Sequence, residues 1–123
     1  MSVVLNHTIV PVTDKSAGAR FFADLLGLHI REEAGPFAPV QVNTDLTFDF
    51  DDRHGVQPGH YAFLVDDDTF DAVLERLRRD PAIDYGAGPE HGWDHQINHL
   101  GDGRGVYVRD PDGHSYELFT AVP

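Results

Sequence analysis

The stretch that decides the fold is RDPDGHSYELF, residues 109–119. Its Asp-Pro-Asp-Gly start predicts a tight turn, because proline presets φ for a turn and glycine accepts a positive φ. Apolar-rich runs at 105–108 and 115–120 flank this turn, so the pattern predicts a β-hairpin. In the second strand Glu117 shares a face with Ser115 and Phe119. A glutamate in a half-buried strand costs free energy unless it is paired, so the rest of the chain should provide its partner.

The composition indicates one globular domain. A chain of 123 residues with 41% hydrophobic residues can bury a core without covalent staples. The absence of cysteine excludes disulfides, thiolate catalysis and cysteine-ligated zinc. No apolar run approaches the roughly 20 residues of a membrane span, and no signal peptide precedes the first strand. We therefore expect a cytoplasmic protein.

Charge narrows the range of partners. The net charge of −12 disfavours nucleic acid and anionic membrane surfaces as partners. It also disfavours a highly anionic substrate, unless a metal or a local arginine cluster attracts it. Eight histidines are many for this length and hint at metal chemistry.

The first half of the chain predicts one strand, one helix and three strands. Residues 3–12 read as a strand covered on both faces, since neither face is cleanly polar. Thr13 or Asp14 should cap a helix that reaches Leu26. Strands at 28–33, 37–42 and 46–51 follow. The last alternates clearly, and its apolar face should meet a helix while its polar face meets water or a cavity; the polar residues are Thr47, Asp49 and Asp51.

The second half repeats this order after a polar linker at 52–59. Residues 60–66 read as a strand, and Asp67 or Asp68 should cap a second helix that ends at Pro81. A short strand at 83–85 and a glycine- and histidine-rich loop at 86–102 lead into the hairpin. The sequence thus predicts an α+β fold, in which two βαβββ modules of one domain (1–123) form a cupped, barrel-like mixed sheet with outer helices. The modules span about 1–52 and 59–123.

Two histidines and two acids occupy equivalent places in this repeat. His7 lies seven residues before Asp14, and His60 lies seven residues before Asp67, and both aspartates are candidate helix caps of their modules. Asp49 and Glu117 both sit in last strands, each preceded by an aromatic residue. Imidazoles and carboxylates are the ligands of divalent iron, manganese, nickel, zinc or cobalt. Superposed modules therefore predict a metal site of His7, Asp49, His60 and Glu117, in which Asp49 is a ligand or a catalytic base.

The loop before the hairpin should set specificity. Its glycines make it pliable, as a lid over a site would need to be. Trp93, His99 and Arg104, within residues 86–104, are candidate substrate-binding residues, together with Tyr107 of the following strand. We expect His114 to face solvent after the turn.

These motifs resemble the vicinal oxygen chelate superfamily, which includes glyoxalase I, extradiol dioxygenases, fosfomycin-resistance thiol transferases and bleomycin-resistance proteins. The resemblance covers the whole chain and rests on LNH at 5–7, RFFADLLGL at 20–28, GH at 59–60, and DPDGH at 110–114 leading to Glu117. It implies a homodimer of paired βαβββ modules around a divalent metal. His7, His60 and Glu117 match the two-histidine, one-glutamate set, and Asp49 matches a fourth-ligand position.

The resemblance leaves the reaction open. It implies a small substrate with vicinal oxygens, and the fourth acid favours a lyase or isomerase. One alternative is a metal-free protein that binds drugs or natural products, as bleomycin-resistance proteins do. A further alternative is an extradiol-type Fe(II) dioxygenase, since Tyr107 matches an active-site tyrosine of that group. The fosfomycin-transferase reading is disfavoured because the loop at 97–105 lacks lysine.

Overall fold

The computed structural model describes residues 2–123; Met1, where the predicted domain begins, lies outside the described residues. The chain forms two compact units, one extending to Pro58 and one running from Gly59 to Pro123. The elements of the first unit are β1 (His7–Pro11), α1 (Lys15–Leu26), β2 (His29–Ile30), β3 (Ala38–Gln41) and β4 (Thr47–Asp51). Those of the second are β5 (His60–Leu64), α2 (Asp67–Arg79), β6 (Asp84–Gly86), β7 (Gly105–Arg109) and β8 (Ser115–Phe119). The predicted α+β class with two βαβββ modules is confirmed.

Each unit contains one four-stranded mixed sheet. The strand orders are β1-β4-β3-β2 and β5-β8-β7-β6, so both units have the same topology. In each sheet the first and last strands of the module pair in parallel, whereas the other neighbours are antiparallel. The helix that connects the first strand to the rest gives the chain the length that a parallel pair requires.

An aspartate immediately before each α-helix caps it, because the aspartate side chain accepts a backbone N–H of the first turn. Asp14 caps α1 by accepting from the amide of Ala17, and Gly27 ends that helix with a φ of 68°. Asp66 caps α2 by accepting from Thr69, so the prediction of Asp67 or Asp68 is wrong by one or two residues. Asp67 and Asp68 instead lie in the first turn, where their charge favours the helix dipole. No helix among residues 2–123 is long and apolar enough to cross a membrane.

The helix α1 covers one face of the sheet of the first unit. In the first unit Phe22 of α1 stacks on Phe48 of β4 at 4.9 Å between ring centroids and lies 5.7 Å from Phe50. All three side chains are buried. The prediction that the apolar face of this strand meets a helix is confirmed. In the second unit the buried residues of α2 are Phe70, Val73, Leu74 and Leu77.

The opposite face of β1 is open, contrary to expectation. Val10 is fully buried, but Ile9 is 49% exposed and His7 is also exposed. The strand therefore has a covered face and an open face, and the open one carries the predicted metal ligand His7. The apolar residues that precede β1 misled the prediction; Val3, Val4 and Leu5 are all exposed.

Asp51, at the end of β4, is buried and forms an ion pair with the half-exposed Arg53 instead of lying on a solvent-exposed polar face. Its carboxylate accepts two hydrogen bonds from the guanidinium of Arg53 and one from the Arg53 amide, each 3.0 Å long. These contacts lower the pKa of Asp51 from its usual 3.8 to about 2, chiefly through the side-chain hydrogen bond from Arg53. The period-two alternation predicted that Asp51 shares the polar face of Thr47 and Asp49. The alternation carries no information about Arg53, the ion-pair partner two residues further along the chain.

The Asp51–Arg53 pair should make the stability of this unit depend on acid pH. Because the folded pKa of Asp51 is depressed, its contribution is present above about pH 4 and is lost as the pH falls toward 2. We expect Arg53→Gln to unfold at lower urea concentration than the native protein at pH 7, and the difference to vanish near pH 2. Urea unfolding at both pH values checks this. The exposed Arg20→Gln is the control, and a difference that persisted at pH 2 would contradict the prediction.

Candidate functional site

In the second unit a histidine and a glutamate meet across a parallel strand pair. His60 opens β5, and Glu117 is the central residue of β8. The Nε2 atom of His60 lies 3.0 Å from Oε1 of Glu117. Because the carboxylate is the acceptor, the imidazole donates from Nε2 when nothing else binds there. The hairpin predicted from residues 109–119 is what carries Glu117 to this position.

Tyr107 completes this cluster from the neighbouring strand β7. It pairs with Glu117 in the antiparallel register, and its side chain hydrogen-bonds to the Glu117 carboxylate. Its ring centroid lies 6.0 Å from that of His60. Burial, and then the nearby negative charge of Glu117, raise the pKa of the Tyr107 hydroxyl, so it stays protonated and donates to the carboxylate.

Glu117 is a buried carboxylate whose ionic partner is a histidine. Its side chain is 11% exposed, whereas the His60 side chain is 52% exposed. Within residues 2–123 neither a lysine nor an arginine forms an ion pair with Glu117. The sequence argument predicted that this carboxylate needs a partner, and in this unit the partners are His60 and Tyr107.

In the first unit His7 and Asp49 line one cavity of about 260 Å³. His7 opens β1 and Asp49 is the central residue of β4. The Nδ1 atom of His7 lies 2.9 Å from the amide oxygen of Asn6, so Nδ1 donates and the lone pair is left on Nε2. A histidine that binds a metal through Nε2 needs this tautomer.

The strand registers show that the two halves carry their polar residues at equivalent points. His7 lies opposite Thr47, two residues before Asp49. His60 lies opposite Ser115, two residues before Glu117. Each unit therefore presents its histidine and its acid at equivalent places of its own sheet.

The residues described do not by themselves form a complete metal cluster. Among residues 2–123 no three side chains of histidine, aspartate and glutamate are grouped closely enough to hold a metal ion. The His60–Glu117 pair nevertheless fits half of such a site. First-row cations bind these nitrogen and oxygen donors at about 2.0–2.2 Å, so neighbouring ligand atoms lie about 3 Å apart, as Nε2 and Oε1 do.

The predicted substrate residues of the long loop lie in different surroundings. The Arg104 guanidinium binds Asp71 and Asp67 at 2.7 and 2.9 Å and covers the Phe70 ring, so it ties the loop to α2. Trp93 is covered by the guanidinium of Arg109 at 5.0 Å. His99 is exposed beside the short 3₁₀ turn Leu100–Asp102. Because both terminal nitrogens of Arg104 bind acids of α2, Arg104 is not part of the proposed site.

The sequence analysis did not identify two residues that lie near the candidate site. Arg31 and Phe37 belong to the connection between β2 and β3 and line the cavity beside His7 and Asp49. Arg31 also donates to the amide oxygen of Gln41 at 3.2 Å. No pattern in the sequence marks a connection as cavity-lining; an arginine beside a glutamate in so acidic a chain was the only available signal.

His114 is also misplaced by the sequence analysis. It is completely buried instead of facing solvent, and its Nδ1 accepts the backbone N–H of Gly59 at 2.9 Å. The turn pattern predicted the position of the turn correctly, but it could not show that the His114 ring is buried beside β5. The reason is that the partner lies 55 residues away in the sequence.

The family model of the Glyoxalase/Bleomycin resistance protein/Dioxygenase superfamily matches residues 4–118. The solved structure of Oxidase ChaP-H2 has a TM-score of 0.91 and 45% identity, and the match covers 100% of this chain and 96% of that one. Oxidase ChaP-H1 gives 0.89 and 49%, over 99% and 98%. Glutathione transferase FosA of Serratia marcescens is 31% identical over 93% of this chain and 78% of its own length. The chain belongs to the Glyoxalase/Bleomycin resistance protein/Dioxygenase superfamily.

Proposed function

We propose that this protein is a divalent-metal-dependent enzyme that oxidises a small molecule carrying vicinal oxygens, with dioxygen as the oxidant. The observation that carries the metal dependence is the His60–Glu117 pair, a buried carboxylate that lies 3.0 Å from an imidazole nitrogen. The oxidase class is supported by 45% and 49% identity, over nearly the whole of both chains, to two proteins that are named oxidases. This proposal replaces the lyase or isomerase that the fourth acid favoured.

The ligand set we propose is His60, Glu117 and His7. His60 and Glu117 have the donor separation that one cation needs, and His7 has its Nε2 lone pair available. The repeat-equivalent positions of the two histidines bring His7 into the set. Two imidazoles and a carboxylate with open positions suit Fe(II), and also manganese, cobalt, nickel or zinc. When bound, such a cation polarises coordinated substrate oxygens and stabilises negative charge on them.

The chain's own residues have separable tasks in this proposal. The Tyr107 hydroxyl donates to Glu117 and so fixes the direction of that carboxylate. Asp49 lies in the cavity beside His7, where it can take a proton from a hydroxyl group of the substrate. Arg31 lines the same cavity and can hold a substrate oxygen that carries negative charge. Trp93 and His99 stay candidates for substrate contact.

A homodimer and a cytoplasmic location are part of the proposal. The open face of β1 carries Ile9, and the open face of β5 carries Leu64, which is 62% exposed. Apolar side chains on an uncovered sheet face are typical of a surface that a second copy covers. Sedimentation equilibrium should give twice the 13.7 kDa of the chain. A monomeric mass would contradict the homodimer.

The first test is the metal content of three proteins expressed without a tag. We expect near one Fe(II) or Co(II) per chain for the native protein after anaerobic reconstitution. We expect His60→Ala to bind the same cation at least about tenfold more weakly, because a ligand is lost. The matched control is His29→Ala, which removes an exposed histidine of β2 and should bind as the native protein does. Calorimetric titration with the metal alone measures all three.

The outcomes separate the remaining functions. Oxygen uptake with catechols or hydroxyquinones, dependent on Fe(II), would support the oxidase proposal. Metal binding without oxygen uptake, together with turnover of a hemithioacetal, would instead support a lyase or isomerase that uses Asp49. No binding of any of the five cations would overturn both and direct attention to a metal-free protein that binds aromatic natural products.

A transferase activity like that of FosA is disfavoured, although FosA is 31% identical over 93% of the chain. The segment at 97–105 contains Arg104 as its only cation, and that guanidinium is bound to Asp67 and Asp71. We therefore expect no glutathione conjugation of fosfomycin. Formation of the conjugate by the metal-loaded protein would overturn this ranking.

A further inference from the structure

The imidazole of His114 joins the two strands that carry the proposed metal ligands. His114 immediately precedes β8, and Gly59 immediately precedes β5. The Gly59 N–H donates to Nδ1 of His114 at 2.9 Å, and the Ser115 N–H donates to the Gly59 carbonyl at 2.9 Å. One side chain thereby extends the backbone ladder by one step, at the end next to His60.

The turn that holds His114 is itself fixed by Asp110. The Asp110 carboxylate accepts the N–H groups of Asp112 and His114 at 3.0 and 2.9 Å, and the Tyr116 hydroxyl at 3.1 Å. The Asp110 amide donates to the His114 carbonyl at 2.9 Å. Asp110, His114 and Tyr116 are all buried. Buried polar groups that satisfy one another in this way allow little freedom to the ring of His114.

The position of this bond matters because strand register decides which face a side chain takes. His60 pairs with Ser115, and Ala62 pairs with Glu117, in the parallel ladder. A slip of one residue would turn one of the two ligands to the other face of the sheet. A smaller shift would also change the 3.0 Å separation of Nε2 and Oε1.

We propose that His114 is a positioning residue, which sets the spacing of His60 and Glu117 by holding Gly59 against the start of β8. The inference rests on the proposed function, because it assigns His60 and Glu117 to one cation. His114 does not touch that cation; it acts through the backbone of Gly59. The buried ring uses Nδ1 as an acceptor, so an asparagine amide oxygen, which is attached to the same side-chain carbon position, can replace it.

The test compares His114→Asn with His114→Leu by Co(II) titration and by exchange of the Gly59 amide proton. We expect His114→Leu to bind Co(II) about 10–100-fold more weakly with unchanged stoichiometry, as changes behind a metal ligand do. His114→Asn should stay within about threefold of the native affinity, since it keeps the acceptor. The Gly59 amide should exchange quickly in His114→Leu and slowly in the other two proteins.

Each outcome decides either the positioning role or the proposed function. Native-like Co(II) affinity in a folded His114→Leu would overturn the positioning role. If the native protein itself bound no Co(II), the proposed function would fail, and a Gly59 amide that exchanged equally in all variants would separately overturn the contact. If His114→Leu did not fold, His114→Gln would replace it, because its acceptor lies one methylene further out. Rescue by asparagine but not by glutamine would support the proposal.

Discussion

Glu117→Gln should abolish tight cation binding while leaving the metal-free protein at least as stable as the native one. Glutamine keeps the size and an oxygen that can accept from His60 and Tyr107, the two present partners. It removes a carboxylate whose side chain is only 11% exposed. Burying an unpaired or weakly paired carboxylate is costly, so its removal relieves the metal-free protein.

In the presence of metal the order of stability should reverse. A cation that binds the folded state alone stabilises it by about 2.7 kcal/mol at a concentration of 100 times its Kd. We expect this gain in the native protein and its absence in Glu117→Gln, whose affinity should fall by more than about 100-fold, beyond the loss from changes behind a ligand. Urea unfolding with and without Co(II) measures both arms of the comparison.

The control for this experiment is Glu75→Gln on α2. Glu75 is exposed and forms a surface ion pair with Arg79, which contributes little to stability. Its substitution should leave the Co(II)-dependent gain intact. A Glu117→Gln protein that was strongly destabilised without metal would show that the carboxylate serves the fold, and would contradict its assignment as a metal ligand.

The repeat could be predicted because both halves combine strong local signals in the same order. Asp14 caps α1 as expected, and the alternation at 46–51 correctly predicted which side of β4 meets the helix. The turn at 110–113 fixed the hairpin and therefore the face of Glu117. These features depend on residues close together in the sequence, for which periodicity and turn chemistry are informative.

The misassigned residues are those whose surroundings come from distant parts of the chain. His114 follows a turn, and a turn alone favours exposure; the Gly59 amide that donates to the buried ring is 55 residues away. Arg31 lines the cavity of His7 and Asp49 only because β2 and β3 bring their connection to that end of the sheet. Arg104 is basic and near the hairpin, but α2 places two acids and an aromatic ring against it. Composition and spacing do not reveal these pairings.

Phe22→Ala should destabilise the first unit more than any other single truncation proposed for it. Phe22 is fully buried and lies against Phe48 and Phe50, which form the back of the strand that carries Asp49. Truncation of a buried phenylalanine to alanine costs about 3–5 kcal/mol, because it loses apolar burial and leaves a cavity. Urea unfolding followed by circular dichroism, at neutral pH and without metal, measures the loss.

The adjacent Phe21→Ala provides a control with the same chemical change. Phe21 is only half-buried on α1, so its truncation should cost less than half as much. Phe22→Leu should recover most of the loss, since leucine refills much of the cavity. Equal destabilisation by Phe21→Ala and Phe22→Ala would contradict the packing of α1 on β4, because then burial against the two phenylalanines would not be what distinguishes the positions.

The packing of Phe22 also supports the candidate site in the first unit. Asp49 lies between Phe48 and Phe50 in β4. Weaker packing behind this strand should therefore also make the cavity that Asp49 and His7 line less ordered.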